Sequence, residues 1–189
     1  MAKKLDLRIV KTHEKLRIAL GAMLTEMKYD DISVFDLCNN ANVRRATFYK
    51  HFKDKNDFLQ YIVQNIQNEI CASDEEKYKL TSPTEFFSCY AEEVISFFEI
   101  HPKIFKNLIQ STSFPVVYTI ITDTTYLSLV EQLAIISESG IAIPSDIKYT
   151  AGFVNGGIAY LLINFLENGE PSKEEILLRL REILKRIFC

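Results

Sequence analysis

Residues 33–56 read SVFDLCNNANVRRATFYKHFKDKN, and the fold turns on this stretch. Ser33 is placed to cap a short helix by accepting a hydrogen bond from an early backbone N–H, with Asp36 three residues on. The apolar pattern breaks at Asn39–Asn40–Ala41–Asn42, and a second short helix then carries Arg44, Arg45, Thr47, Tyr49, Lys50 and His51. Two helices across a three- or four-residue turn, the second loaded with cations, hydroxyls and aromatics, predict a DNA-binding helix-turn-helix. Arg44, Arg45 and Thr47 fall at the N-terminal end of that helix, where such helices meet base edges. Arginine bonds guanine O6 and N7 with both arms, and threonine bonds a base or packs on a thymine methyl. Phe48 and Phe52, with Val34, Leu37 and Val43, are assigned to a small core.

The run TFYKHFKDK, Thr47–Lys55, resembles the hallmark of TetR-type transcriptional regulators. There a recognition helix ends in an aromatic, a basic residue, His or Tyr, then Phe, and a Lys opens the next helix. This match covers about 45 residues at the N-terminus. It implies that Tyr49, His51 and Lys55 contact phosphates, which position a head without reading sequence directly. Tyr49 beside Phe48 also suits a roof over the core. Two positions depart from the family pattern. Asn42 stands where the turn usually has Gly, and asparagine is the other residue that tolerates positive φ. Arg44 replaces the usual capping Ser, which removes a cap worth roughly 1 kcal/mol and sets a cation at the positive helix end. An added DNA contact by Arg44 and a tolerated substitution both fit.

Charge is distributed to match. Net charge is −3, yet residues 1–55 hold 12 Lys and Arg against 7 Asp and Glu, while the remainder hold 10 against 18. A basic N-terminal third on an acidic body suits a DNA reader with a separate regulatory part. Cys38, Cys71, Cys89 and Cys189 are scattered, without a CxxC pair or matching His, so no metal site and no cofactor is expected. Met1–Lys11 lacks the apolar core of a secretory signal. The longest apolar stretch, Ala151–Leu166, is short for a span and holds Asn155 and Asn164. A cytoplasmic chain with reduced thiols and no membrane partner is expected, Cys38 serving as a small buried hydrophobe.

Along the chain every segment reads as helix, giving an all-α protein of about nine helices. Apolar residues from Leu7 to Met27 recur at helical spacing. Asp54 caps a long helix, fraying near Ser73–Lys79. Ser82–Pro83–Thr84–Glu85 restarts a helix to about Ile100; His101–Pro102 turns into a short one reaching Gln110. Pro115 opens a longer helix ending near Gly140, with the β-branched 116–121 stretch kept helical for want of a partner strand. Ser145 begins a helix stopped at Asn168–Gly169, and Ser172–Glu175 caps the last. The expected division is a head at 1–53, a connecting helix and boundary at 54–79, and a ligand-binding and dimerisation body at 80–189.

In the final helix Ile176, Leu180, Ile183, Leu184 and Ile187 lie on an apolar stripe, and the preceding helix offers Gly152, Gly156 and Gly157 for close approach. GGIAYLLINFLENGEPSKEEI resembles the end of a dihydroxyacetone-kinase-regulator subgroup of the same family. That resemblance implies a four-helix interface between two subunits; an ordinary intramolecular core is the alternative. Symmetric reading of a palindromic operator favours the homodimer. Phe86, Tyr90, Phe97, Tyr118, Tyr126, Asn155 and Tyr160 are candidates for an effector pocket taking an apolar or aromatic small molecule, although most body aromatics belong to core. His13, His51 and His101 are isolated from any nucleophile, and no phosphate loop occurs, so an enzyme is not expected. The family resemblance implies a repressor released by its effector. An activator, or a coactivator acting only through partners, is the alternative.

Overall fold

A computed structural model describes residues 7–72, 82–143, 146–168 and 171–188. Among them are nine α-helices, one 3-10 turn and no strand. The helices are α1 (Leu7–Leu24), α2 (Val34–Asn40), α3 (Arg45–Phe48), α4 (Lys55–Ala72), α5 (Pro83–Ile100), α6 (Pro102–Ile109), α7 (Phe114–Glu138), α8 (Ile147–Asn168) and α9 (Lys173–Phe188). The 3-10 turn, Tyr29–Asp31, lies between α1 and α2.

Local chemistry explains the helix starts. Ser33 Oγ accepts the Asp36 N–H at 3.1 Å. Asp54 accepts from the N–H groups of Asn56 and Asp57 at 2.7 and 2.9 Å, while Asp57 accepts from that of Lys53 at 2.8 Å. These bonds satisfy backbone donors that a helix N-terminus otherwise leaves open. Ser82 and Ser172 do the same for Glu85 and Glu175, at 3.2 and 3.3 Å. Asp146 caps α8 through Lys148 N–H at 2.8 Å. The expected Ser145 start, the Gly169 stop and the Ser73–Lys79 boundary lie outside the described residues. Residues 116–121 are helical within α7, and the helix ends before Gly140, whose φ of 90° only glycine adopts readily.

The chain forms two compact units, and their division differs from the one expected from sequence. The first holds the chain up to Ile62 together with His101–Tyr118; the second holds Val63–Ile100 and Thr119 onward. Thus α6 and the first turn of α7 belong with the helix-turn-helix. Asn107 on α6 donates to the Leu24 carbonyl closing α1, at 2.9 Å. In the second unit α9 lies chiefly on α5, with Phe87 and Phe188 stacked 5.6 Å apart, and Lys173 reaches Ser96 and Glu99 at 2.8 and 3.1 Å. The core there joins Phe86, Phe87, Tyr90 and Ile95 of α5 to Leu129 and Leu133 of α7, Val154 and Ile158 of α8, and Ile176, Leu180 and Leu184 of α9.

Candidate nucleic-acid interface

The first unit is organised around buried rings. Phe48 of α3 is fully buried, and its ring lies 5.4 Å from that of Phe52 and 5.8 Å from that of Phe58. Leu37 is fully buried, Cys38 is buried with its thiol pushed up by desolvation, and Val34 and Val43 are half-buried. Asn42 carries the turn at φ 51°, so the helices are joined through a left-handed residue without glycine. Arg44 sits at the N-cap of α3 with no side-chain cap, and its extended backbone leads into a regular helix of only four residues. Tighter turns then finish the segment, with Lys50 N–H bonded to Thr47 O and His51 N–H to Phe48 O.

Burial on one side of this segment leaves a polar face on the other. Arg44, Arg45, Tyr49 and Lys50 are exposed, and Thr47 and His51 are half-buried. Arg45 lies 5.4 Å from the centre of the exposed Phe35 ring, a cation–π contact that restrains its stem while leaving it accessible. Tyr49 is 57% exposed and meets Phe48 edge-on at 5.4 Å, so its ring rests on the core with much of it in solvent. Lys55 behaves differently. Its ammonium donates to the Tyr29 and Ile32 carbonyls and lies 4.1 Å from the Tyr29 ring centre. Burial lowers its pKa, partly opposed by Asp30 and Asp31. The lysine expected on a phosphate is thus engaged inward as a clamp, a role that spacing along the chain does not reveal.

In the sequence His13 stands apart from any nucleophile. It lies within the aromatic cluster: its Nδ1 is 3.0 Å from the Tyr61 hydroxyl, and its ring is 4.9 Å from that of His51 and 4.9 Å from that of Phe52. Its Nε2 is buried without a hydrogen-bond partner among the described residues. Desolvation, then the neighbouring His51, holds the imidazole below its ordinary pKa. The unfolded chain therefore binds a proton at a pH where folded His13 does not, so stability falls as pH drops through the unfolded value. Thermal unfolding between about pH 7.5 and 5.5 should show a steeper loss in the parent than in a His13→Gln variant. Equal slopes would remove His13 from that dependence.

The second unit divides the remaining candidates. Ile176, Leu180 and Leu184 are buried in the chain's own core, so these three serve the intramolecular alternative. Gly152, Gly156, Gly157 and Ile183 are exposed, and Ile187 is half-buried. With them on α8 stand Tyr149, Phe153 and Tyr160, at 80%, 71% and 70% exposure. Their spacing of four and seven residues places the three rings along one helix face. Tyr160, expected in a pocket, faces solvent instead. α8 is long and apolar enough to cross a membrane by length and composition, yet its Ala151, Val154, Ile158 and Leu162 face is buried in the core. Phe86 and Tyr90 are core residues, and Phe97 is half-buried with its ring 5.2 Å from that of Phe98. Tyr126 is half-buried beside Gly152, Asn155 donates to the Thr122 carbonyl at 3.0 Å, and Tyr118 falls in the first unit.

No protein-family model matches the chain. Over 95 residues, half of its length, it is 35% identical to the HTH-type transcriptional regulator YxbF of Bacillus subtilis (strain 168), covering 24% of that protein. Over 105 residues it is 27% identical to an HTH-type transcriptional regulator of Haemophilus influenzae (strain ATCC 51907 / DSM 11121 / KW20 / Rd), covering 55% of it. The chain thus spans about a quarter and about half of these two curated relatives. A TetR-family transcriptional regulator from Rhodococcus sp. superposes with a TM-score of 0.68 at 16% identity, over 95% of this chain and 100% of that one. The dihydroxyacetone kinase operon activator DhaS superposes with a TM-score of 0.60 at 18% identity, over 94% and 96%. The fold is that of TetR-family transcriptional regulators.

Proposed function

We propose that this chain is a TetR-type transcriptional regulator that binds a palindromic operator as a homodimer, represses, and is released by a small molecule. The observation that carries DNA reading is the helix-turn-helix itself, with Phe48 and Phe52 buried and Arg44, Arg45, Tyr49 and Lys50 exposed on α3 and its extension. The relatives described as HTH-type transcriptional regulators support the same reading. The exposed rings of α8, the glycines between them and Ile183 of α9 supply an apolar face for a second copy. A symmetric pair presents two heads to two half-sites. Operator binding, as proposed, implies work in the cytoplasm.

Effector binding is drawn to the polar interior of the second unit. Gln67 of α4 bonds Thr125 of α7, and the Tyr90 hydroxyl donates to the same threonine at 3.4 Å. The neighbouring Thr124 hydroxyl has no partner among the described residues although the residue is only 2% exposed. These groups are uncharged, and they favour an apolar or aromatic effector with a neutral hydrogen-bonding group. A second reading, activation, rests on the similarity to DhaS, described as an operon activator.

Selection of the purified chain on a random duplex library tests the proposal. An inverted repeat should be enriched. Thr47→Ala should relax preference at one position by about 1–3 kcal/mol. Lys50→Ala should weaken binding to every sequence and reduce the salt slope by about one unit. No enriched motif, or two variants that bind as the parent does, would overturn the groove assignment.

A further inference from the structure

Five residues, Tyr29 to Ser33, hold the starts of three helices. Ser33 caps α2. Lys55, the first residue of α4, donates to the carbonyls of Tyr29 and Ile32, and the Tyr29 hydroxyl donates to Asn56 at 2.8 Å. Asp30 supplies the third connection. One carboxylate oxygen accepts from the Thr112 N–H and, at 3.0 Å, from the Thr112 hydroxyl. The other accepts from the Ser113 N–H at 3.0 Å and from the Ser113 hydroxyl. Ser113 directly precedes α7, so a carboxylate from a distant turn occupies the place of a helix-capping acceptor. Hydrogen bonds from the Ser113 and Ser111 side chains and from Thr112 hold the Asp30 carboxyl well below the usual carboxylate range.

Both helices anchored here, α4 and α7, are divided between the two units, their first turns in one and their remainders in the other. The turn that grips them continues without a break into the N-cap of α2, the first helix of the helix-turn-helix. The path from the first turn of α7 to α2 therefore runs through one carboxylate and three intervening residues. We infer that Tyr29–Ser33 is the coupling element of this protein and that Asp30 is its positioning residue, setting the seating of the helix-turn-helix from the start of α7. At the operator this inference rests on the DNA-reading proposal; in the free protein it does not.

Hydrogen exchange of the full-length chain provides the test, with one substitution, at Ser113, far along the chain from the α2 and α3 amides observed and the other, at Asp30, close before them. Ser113→Ala and Asp30→Ala should each speed exchange of the α2 and α3 amides roughly tenfold, as loss of charge-assisted bonds implies. Exchange in α5 and α9 should not move. Ser113→Thr, which restores a hydroxyl, should return α2 and α3 to parental protection, and the double Asp30→Ala, Ser113→Ala variant should be no faster than Asp30→Ala alone. Unchanged α2 and α3 exchange in Ser113→Ala, or acceleration spread evenly over all helices, would overturn the inference. Operator affinity measured on the same variants should fall in parallel. If the parent selects no DNA sequence, the reading function fails while the exchange pattern still decides the coupling.

Discussion

Leu180→Glu is expected to abolish folding of the second unit, whereas the double variant Phe153→Glu, Tyr160→Glu is expected to leave a folded monomer. Leu180 is 5% exposed in the core shared by α5, α7, α8 and α9. Removing its side-chain contacts costs about 2–5 kcal/mol, and an unpaired buried carboxylate adds several more. That total rivals the roughly 5–15 kcal/mol that holds an ordinary domain together. Phe153 and Tyr160 are exposed on α8, so carboxylates there remain in water and disturb only what covers them. Circular dichroism should show lost helix for Leu180→Glu and parental helix for the double variant. Sedimentation of the double variant should show a single-chain mass, and operator binding should weaken by far more than any one base contact accounts for. A double variant that sediments as a dimer moves the interface elsewhere.

The second large effect is at Lys55. Lys55→Met keeps much of the aliphatic stem but strips a cation from two carbonyls and from the Tyr29 ring. Hydrogen bonds to a charged group contribute about 1.5–3 kcal/mol each, and a cation over a ring about 0.5–2 kcal/mol. With partial replacement by water, a net loss of about 2–4 kcal/mol is expected for the first unit. Lys50→Met, on the exposed face, should change stability by no more than about 0.5 kcal/mol. Urea unfolding followed through the first unit separates the two. Salt titration of DNA binding separates them in the opposite sense: Lys50→Met lowers the slope, whereas folded Lys55→Met retains it. A lowered slope with unchanged stability in Lys55→Met would return that lysine to the phosphate backbone.

Residues that act on their own neighbours were legible from the chain. The caps at Ser33, Asp54, Ser82 and Ser172, the left-handed Asn42 and the uncapped Arg44 all follow from local donor and acceptor geometry. Helical spacing also identified apolar faces, including the one on α9, but periodicity does not say what covers a face. Leu180 and Ile183 lie on the same stripe, and only three-dimensional packing buries the first while exposing the second. The inward partners of Lys55, His13 and Asp30 are hidden for a related reason: they lie from 23 to 83 positions away. Nothing local announces such a partner. The inward turn of Lys55 further shows that matching a motif assigns a residue type to a position, while the surrounding carbonyls decide its role.

The discontinuity of the first unit bears on how such a protein is cut, shuffled and inherited. A fragment ending after the helix-turn-helix would lack residues 101–118, leaving Asp30 without its four donors and the Leu24 carbonyl without Asn107. A chimera that exchanges regulatory parts at a single splice point beyond α4 would import a foreign α6 into the reading unit. Productive recombination needs two crossovers, so that α6 and the beginning of α7 travel with the segment they serve. Recombination between relatives is therefore expected to preserve those two pieces as a linked pair, despite the intervening length of chain.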